Sequence, residues 1–243
     1  MSGVEARLPR AAATLVLLRD GDDGLETYLL RRATTMAFAP SMHVFPGGRV
    51  DPIDFERELR LVGMATDELA ELSSCEAGLA LALLSCAVRE TFEEAGVVVY
   101  SEQDGVVEVD AREVVIFDHW VTPEREGKRY DVRFYAARLP QGQQAALTTT
   151  EAVHAAWLRP ADAITAFEAG ELAMLPPTED VLRYFAAYGD VDAALRAARG
   201  RAFAPKLPRE RDDRAWDLVH AYDGWVISEG IPAPHTREET GRP

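Results

Sequence analysis

Short apolar runs and one longer amphipathic run alternate along the chain. Runs rich in Val, Ile, Leu and aromatic residues, bounded by Asp, Gly and Pro, are typical of strands. They predict strands over residues 13–18, 26–31, 97–100, 114–120, 130–138 and 155–158. From Gly78 to Ala95 apolar positions recur three and four residues apart, which predicts a helix ending at Gly96. Pro160 and Pro176 open two more predicted helices, and helical stretches follow over 191–199 and 214–227.

This order of elements predicts a mixed α/β domain over residues 10–170 and a helical extension over 171–231 that packs on it. The polar, Pro-containing residues 232–243 predict a flexible tail. An acidic segment over about 51–77 looks like an insertion at the surface. The apolar positions of the last helices either cover the sheet or form a homodimer contact, and the pattern leaves both open.

The charge balance narrows the possible partners. The 243 residues include 26 Lys and Arg against 41 Asp and Glu, a formal net charge of −15. Nonspecific nucleic-acid binding needs a basic surface, so we expect no nucleic-acid partner. A local group of Arg side chains can still bind a small phosphorylated ligand. The apolar run over 79–88 is about half of what a bilayer span needs, so we expect no membrane span.

Cysteine usage points to a reducing compartment. Cys75 and Cys86 lack the CxxC spacing of redox or zinc motifs, so we expect free thiols in a cytoplasmic protein. We interpret the amino terminus as the start of the fold, because acidic residues flank its apolar stretch and no cleavage site is evident.

Three glutamates share one face of the predicted long helix. At about 100° per residue, Glu90, Glu93 and Glu94 lie within roughly 100° of one another, opposite an apolar face. Like charges four residues apart disfavour a helix, whereas a hard cation such as Mg²⁺ or Mn²⁺ would bind them. The alternative is a solvated acidic face. A Pro46-Gly47-Gly48 turn upstream, and the Ala-Gly and β run after the cluster, favour a metal site.

The segment RETFEEAGV, residues 89–97, resembles the second half of the Nudix box, and Pro46-Gly47-Gly48 resembles its start. The two parts are separated by 40 residues rather than 13, so the box resembles one with an insertion of 27. With the lead-in MAFAPSMHVFPGGRVD, this is similar to the branch that includes the peroxisomal coenzyme A diphosphatases. The resemblance implies an α/β/α sandwich with a mixed sheet and a metal-dependent hydrolase.

The resemblance also implies roles for particular residues. Glu90 would be a metal ligand and possible base, Glu93 and Glu94 further ligands, and the Gly48 carbonyl a backbone ligand. Arg89 would orient Glu90 through a charge-assisted hydrogen bond. The implied cofactor is Mg²⁺ or Mn²⁺.

The first Glu of the box has no obvious counterpart. Eight residues before Arg89 the chain has Leu81, and Glu76, thirteen before, cannot replace the Glu without a change of path. The residue that supports Arg89 is therefore not assigned by the sequence.

Further candidates surround the motif. Glu151 is the best candidate for an additional catalytic carboxylate on a loop, with Glu124 or Glu126 as rivals. Phosphate oxygens need donors, and Arg is suited to them. The donor candidates are Arg31, Arg32 and Arg49 beside the box turn, and Lys128, Arg129 and Arg133 beside a later strand. We expect His43 to be packed or solvent-facing, and His119, Trp120 and Cys86 to belong to the core.

The resemblance implies hydrolysis of a nucleoside diphosphate linked to a group X, with coenzyme A or an acyl-CoA first. An ADP-sugar, a dinucleotide or another capped nucleotide is the alternative within this class. A Nudix-like module that senses a nucleotide without cleaving it is the alternative of another class.

Overall fold

The computed structural model describes residues 8–36, 39–124, 126–210 and 216–220. The strands are β1 (Arg10–Gly21), β2 (Gly24–Arg32), β3 (His43–Val44), β4 (Gly47–Arg49), β5 (Leu59–Val62), β6 (Ser101–Gln103), β7 (Val106–Asp110), β8 (Val114–Val121), β9 (Tyr130–Arg138), β10 (Ala152–Leu158), β11 (Lys206–Glu210) and β12 (Trp216–His220). The helices are α1 (Pro52–Glu56), α2 (Thr66–Ser73), α3 (Ala77–Ala95), α4 (Pro160–Glu168), α5 (Pro176–Phe185) and α6 (Val191–Arg199).

A mixed sheet forms the centre of the protein. Over the described ranges its order is β10-β2-β1-β9-β8-β11-β12, with β3 beside β2 and β4 beside β1. The pair β1–β9 is parallel and the pairs β1–β2, β1–β4 and β8–β9 are antiparallel. A second sheet, of order β5-β7-β6, combines the inserted segment with residues that follow α3. The predicted α/β class with a mixed sheet is confirmed.

Each face of the main sheet packs against helices because side chains alternate along β1. Leu15 and Leu17 face a core that contains the apolar side of α3, whereas Val16 and Leu18 face a core with α5 and α6. All four are fully buried, and burying such a side chain contributes about 1.5–3 kcal/mol. The result is three layers, with the helices of the predicted extension covering one sheet face.

Helix α3 matches its prediction closely. At its start the Glu76 side chain accepts hydrogen bonds from the backbone N–H groups of Gly78 and Leu79. At its end Gly96 adopts a left-handed conformation with φ of 67° and donates to the Phe92 carbonyl. The glutamates therefore lie in the last two turns of a helix whose ends are both fixed.

Two of the predicted elements need correction, and the predicted insertion contains elements that the sequence did not assign. Residues 97–100 are not a strand, and β6 begins one residue later at Ser101. The insertion contains strand β5 beside its two helices. Part of the predicted helix over 214–227 is strand β12, because a short apolar run fits both periods. The rest of that helix and the tail over 232–243 lie outside the described residues. The domain boundary at residue 170 stays a prediction.

Among the described residues, no single helix has both the length and the apolar character of a membrane span; α2 and α3, bent at 82°, meet these criteria only as a pair. Cys75 and Cys86 are buried free thiols.

Candidate active site

A cavity of about 580 Å³ opens at one end of the main sheet. Its floor is formed by side chains of β1, β8 and β9 that share a sheet face, including Thr14, Val132 and Trp120. The turn before and within β4, the carboxyl-terminal part of α3 and the start of α5 form its walls. This cavity brings together residues from most of the length of the chain.

The glycine turn and the glutamate helix meet in this cavity. A Cβ on Gly48 would lie 2.2 Å from Glu90 Oε1, so only glycine allows the carboxylate to approach this closely. The Gly47 N–H donates a hydrogen bond of 2.9 Å to Glu94 Oε2. The pairing of β4 with β1, in which Gly48 faces Ala13, holds the turn in this position. The predicted association of the two segments is confirmed.

Asp54 supplies the support for Arg89 that the sequence left unassigned. The Nε and Nη2 groups of Arg89 donate to the two carboxylate oxygens of Asp54 at 2.9 and 2.8 Å. The Asp54 side chain is 1% exposed and also accepts a hydrogen bond from the Ser85 hydroxyl at 3.3 Å. These bonds with Asp54 raise the pKa of Arg89 above its usual value. A buried, bidentate ion pair therefore holds the guanidinium in place.

The spacing of Asp54 could have identified it. Asp54 lies six residues after Gly48, the distance of the first box Glu counted forward from the glycine. Counting back from Arg89 led to Leu81 instead, because the inserted residues separate Asp54 from the helix. Asp54 lies on α1, inside the segment over about 51–77 that the sequence predicts as an insertion, so this part of the segment contributes to the site. The extent of the insertion stays a prediction.

Arg89 in turn orients two glutamates. Its Nη1 group donates to Glu90 Oε1 and to Glu93 Oε2, both at 2.9 Å. Glu90 lines the cavity, whereas Glu93 does not and its side chain is 51% exposed. Its ion pair with Arg89 places the Glu93 carboxylate outside the cavity lining, and its ligand role stays a prediction.

Burial controls the ionisation of the two cavity glutamates. It raises the pKa of Glu94 to about 7, against a smaller opposite effect of the Gly47 hydrogen bond. It also raises the pKa of Glu90, which the Arg89 charge partly offsets. Both carboxylates are thus in a site that disfavours their charged form, and a bound cation would reverse this effect.

The donor set fits a hard divalent cation. Glu90, Glu94 and Glu151 line the cavity, and the Gly48 carbonyl accepts a hydrogen bond from Cys86 Sγ at 3.4 Å on the α3 side of the turn. Over the described part of the chain, no three His, Cys, Asp or Glu side chains form a ready-made metal cluster. Mg²⁺ commonly binds one or two carboxylates and completes its shell with water and substrate phosphates. Two carboxylates beside an accessible cavity satisfy that requirement.

The three candidates for a catalytic loop carboxylate differ in whether they line the cavity. Glu151 lines the cavity, is 57% exposed, and lies 4.0 Å from Arg32 Nη2. Its rival Glu126 also lines the cavity, whereas Glu124 does not. Glu151 acts electrostatically on Glu94, so it is near the glutamate helix.

Two of the three predicted phosphate donors reach the cavity. Arg32 and Arg49 line it, and Arg49 also pairs with Asp51 at 2.6 Å. Arg31 does not, because neighbouring residues of a strand point to opposite faces, and it lies near His43 instead. Arg31 is therefore not among the residues that the structure brings together in the cavity, and its substrate-binding role stays a prediction.

Of the three later cations predicted as phosphate donors, one lines the cavity and two do not. Lys128 lines the cavity. Arg129 is buried and donates to the Thr122 carbonyl, and Arg133 is buried and donates to the Ser73 carbonyl. Arg10 also lines the cavity, and the sequence analysis missed it.

The predicted core residues behave largely as expected. His119 is buried against Asp131, and Cys86 is buried. Trp120 is 2% exposed, although part of it reaches the cavity. His43 Nδ1 lies 3.2 Å from the Ala173 carbonyl, outside the cavity lining.

The fold and this cavity identify the class of protein: the NUDIX domain model matches residues 8–180, and the chain belongs to that family. Among curated proteins, it is similar to Acyl-coenzyme A diphosphatase NUDT19 of Gallus gallus, at 26% identity over 63% of this chain. The match spans 58% of that relative's length.

Two solved structures are also similar. A NUDIX hydrolase from Alicyclobacillus acidocaldarius is 27% identical, with 77% of this chain and 96% of that one covered and a TM-score of 0.63. An Ap4A hydrolase of C. elegans is 22% identical over 73% of this chain and 96% of that one, with a TM-score of 0.42. The predicted resemblance to the Nudix family is confirmed.

Proposed function

We propose that this protein is a metal-dependent hydrolase that cleaves the diphosphate bond of a nucleoside diphosphate linked to a group X. The observation that carries the proposal is the contact of the Gly47-Gly48 turn with Glu90 and Glu94 inside one cavity. Membership of the NUDIX family supports it. The buried support of Arg89 by Asp54 favours an enzyme over a module that only senses nucleotides, because it preserves the box through a long insertion.

Glu90 and Glu94, with the Gly48 carbonyl, are the residues that would hold Mg²⁺ or Mn²⁺. A cation bound there would neutralise negative charge on the diphosphate. Asp54 holds Arg89, and Arg89 holds Glu90 in the orientation that this requires.

Two further residues of the cavity, near Glu94, complete the proposed reaction. Arg32 binds a phosphate oxygen, and Glu151 accepts the proton of the attacking water. The water oxygen forms a bond to one phosphorus while the bond from that phosphorus to the bridging oxygen breaks. The products are a nucleoside monophosphate and X-phosphate. A positioned base of this kind contributes about 10²–10⁴-fold to the rate.

We propose coenzyme A or an acyl-CoA as the substrate. The name of the similar Gallus gallus protein and the insertion within the box support this choice. An ADP-sugar, a dinucleotide or another capped nucleotide remains the alternative within the same reaction class. The buried free thiols agree with the proposal of a cytoplasmic protein.

The test is a panel of diphosphates incubated with the protein and Mn²⁺ or Mg²⁺ and analysed by mass spectrometry. Coenzyme A, an acyl-CoA, ADP-ribose and a dinucleoside polyphosphate represent the alternatives. In H₂¹⁸O, the product that carries the label identifies the phosphorus attacked. We expect cleavage of coenzyme A or its thioesters at the diphosphate, dependent on the metal. Absence of product from every compound would contradict the proposal and favour the sensing module.

A further inference from the structure

The rim of the cavity carries a group of cations that the proposed diphosphate chemistry does not use. Arg10, Arg49 and Lys128 all line the cavity and are exposed to solvent. They lie in a protein whose formal net charge is −15. We term this group the cationic rim.

Strand pairing explains why residues so far apart in sequence meet. Parallel strands β1 and β9 begin at the same sheet edge, where Arg10 pairs with Tyr130, two residues after Lys128. Antiparallel β4 runs toward the same edge, and its Arg49 pairs with Ala12. The first residue of β1, the last residue of β4 and a loop residue just before β9 therefore supply the cationic rim.

Within the cationic rim, Arg10 lies apart from the glutamate site. Gly48 pairs with Ala13, three residues along β1 from Arg10. At about 3.3 Å per residue, that separation is about 10 Å along the strand. Arg10 therefore lines a part of the cavity away from the Gly48 turn, where it is placed to contact a second anionic group on the same ligand.

Two members of the cationic rim are available for a ligand. Arg49 pairs with Asp51, whereas no carboxylate within the described ranges pairs with Arg10 or Lys128. Asp51 and Glu126 line the cavity beside the cationic rim. The three basic and two acidic side chains together carry a net charge of +1. Arg side chains bind phosphate in a bidentate manner and Lys binds it as a point charge. A phosphomonoester carries a charge of about −1.5 to −2 at pH 7, so two adjacent cations attract it more strongly than a carboxylate.

We propose that Arg10 and Lys128 form a second anion subsite, and that the substrate is a nucleoside diphosphate derivative carrying a further phosphate group. This inference rests on the proposed function and narrows its substrate class. It separates coenzyme A, which has a phosphate on its ribose, from plain ADP-sugars and from dinucleotides without one.

The kinetic test compares two substrates that differ by one phosphate. We expect wild-type protein to have a higher kcat/KM for coenzyme A than for dephospho-coenzyme A. Arg10→Gln and Lys128→Gln should each reduce that ratio about tenfold, the effect of losing one charge-assisted phosphate contact. Arg196→Gln is the matched control, because Arg196 is exposed on α6 and does not line the cavity. A wild-type ratio near one, or a ratio unchanged in both variants, would overturn the proposal.

A binding test without catalysis distinguishes this proposal from the proposed function. Calorimetry without metal compares adenosine 3′,5′-bisphosphate with adenosine 5′-monophosphate. We expect tighter binding of the bisphosphate, and loss of that preference in the Arg10→Gln, Lys128→Gln double variant. If wild type cleaves neither coenzyme A compound but keeps the preference, the proposed function fails and the anion subsite stands. Equal binding of the two nucleotides would refute the subsite.

Discussion

Replacing Asp54 by Asn tests the link between the insertion and the catalytic helix. The change removes the negative charge from a buried pair whose two side chains, Asp54 and Arg89, are 1% and 10% exposed. Removing one partner of a buried ion pair costs about 3–5 kcal/mol, because the other charge stays buried without compensation. Arg89 keeps its bonds to Glu90 and Glu93, so we expect the lower limit, about 3 kcal/mol. For a protein of this size that corresponds to a Tm about 6–12 °C lower.

The assay combines differential scanning calorimetry with steady-state kinetics on the substrate found in the panel. We expect kcat to fall by about 10–100-fold, since Arg89 no longer fixes Glu90. Asp54→Glu should restore part of both losses, because a carboxylate at this position is what Arg89 requires. Asp110→Asn, which breaks an exposed pair with Arg112, is the control and should change little. Wild-type Tm and kcat in Asp54→Asn would show that Arg89 does not depend on Asp54 for its position.

Three further tests, with five substitutions, address the cavity glutamates, the glycine turn and strand β11. Glu94→Gln should lower kcat by about 10²–10³-fold, whereas Glu93→Gln, outside the cavity, should stay within about tenfold; equal losses would contradict the geometry. Gly48→Ala should reduce activity at least about tenfold with little change in Tm, because the added Cβ meets the Glu90 carboxylate, which can move. Gly47→Ala should lower Tm, because its Cβ would lie 2.6 Å from the Ala13 backbone oxygen, which cannot move easily. Lys206→Met should lower the free energy of unfolding by about 3 kcal/mol, because Lys206 is 5% exposed and donates to two carboxylates. A urea titration measures this, and an unchanged midpoint would show that these ion pairs do not stabilise the position of β11.

Local patterns were sufficient to predict the element that carries the chemistry. Helix α3 combines apolar positions at helical spacing with a glycine at its end, and both features act within the segment itself. Strand β9 was predicted to the residue, because Tyr130 to Arg138 is a β-rich run with clear boundaries. The meeting of Gly48 with Glu90 was predicted only through the resemblance to the Nudix box, since no local rule joins segments 40 residues apart.

Features that depend on strand register could not be predicted. Arg10 reaches the cavity because β1 pairs in parallel with β9, a contact between residues 120 positions apart. Arg31 was a candidate because it is close to the motif in sequence, but the alternation of side chains along β2 places it outside the cavity lining. Asp54 was missed for a different reason: inserted residues broke the spacing on which the motif is recognised, while the forward distance from Gly48 was kept.

The central claim is that the glycine turn and the glutamates of α3 together hold a divalent cation. Calorimetric titration of the purified protein with Mn²⁺ tests it directly, using Glu94→Gln and, as control, Glu71→Gln on the exposed face of α2. We expect saturable binding that Glu94→Gln weakens about tenfold or more and Glu71→Gln leaves unchanged. Mn²⁺ binding of equal affinity in wild type and Glu94→Gln, or no saturable binding in either, would contradict it.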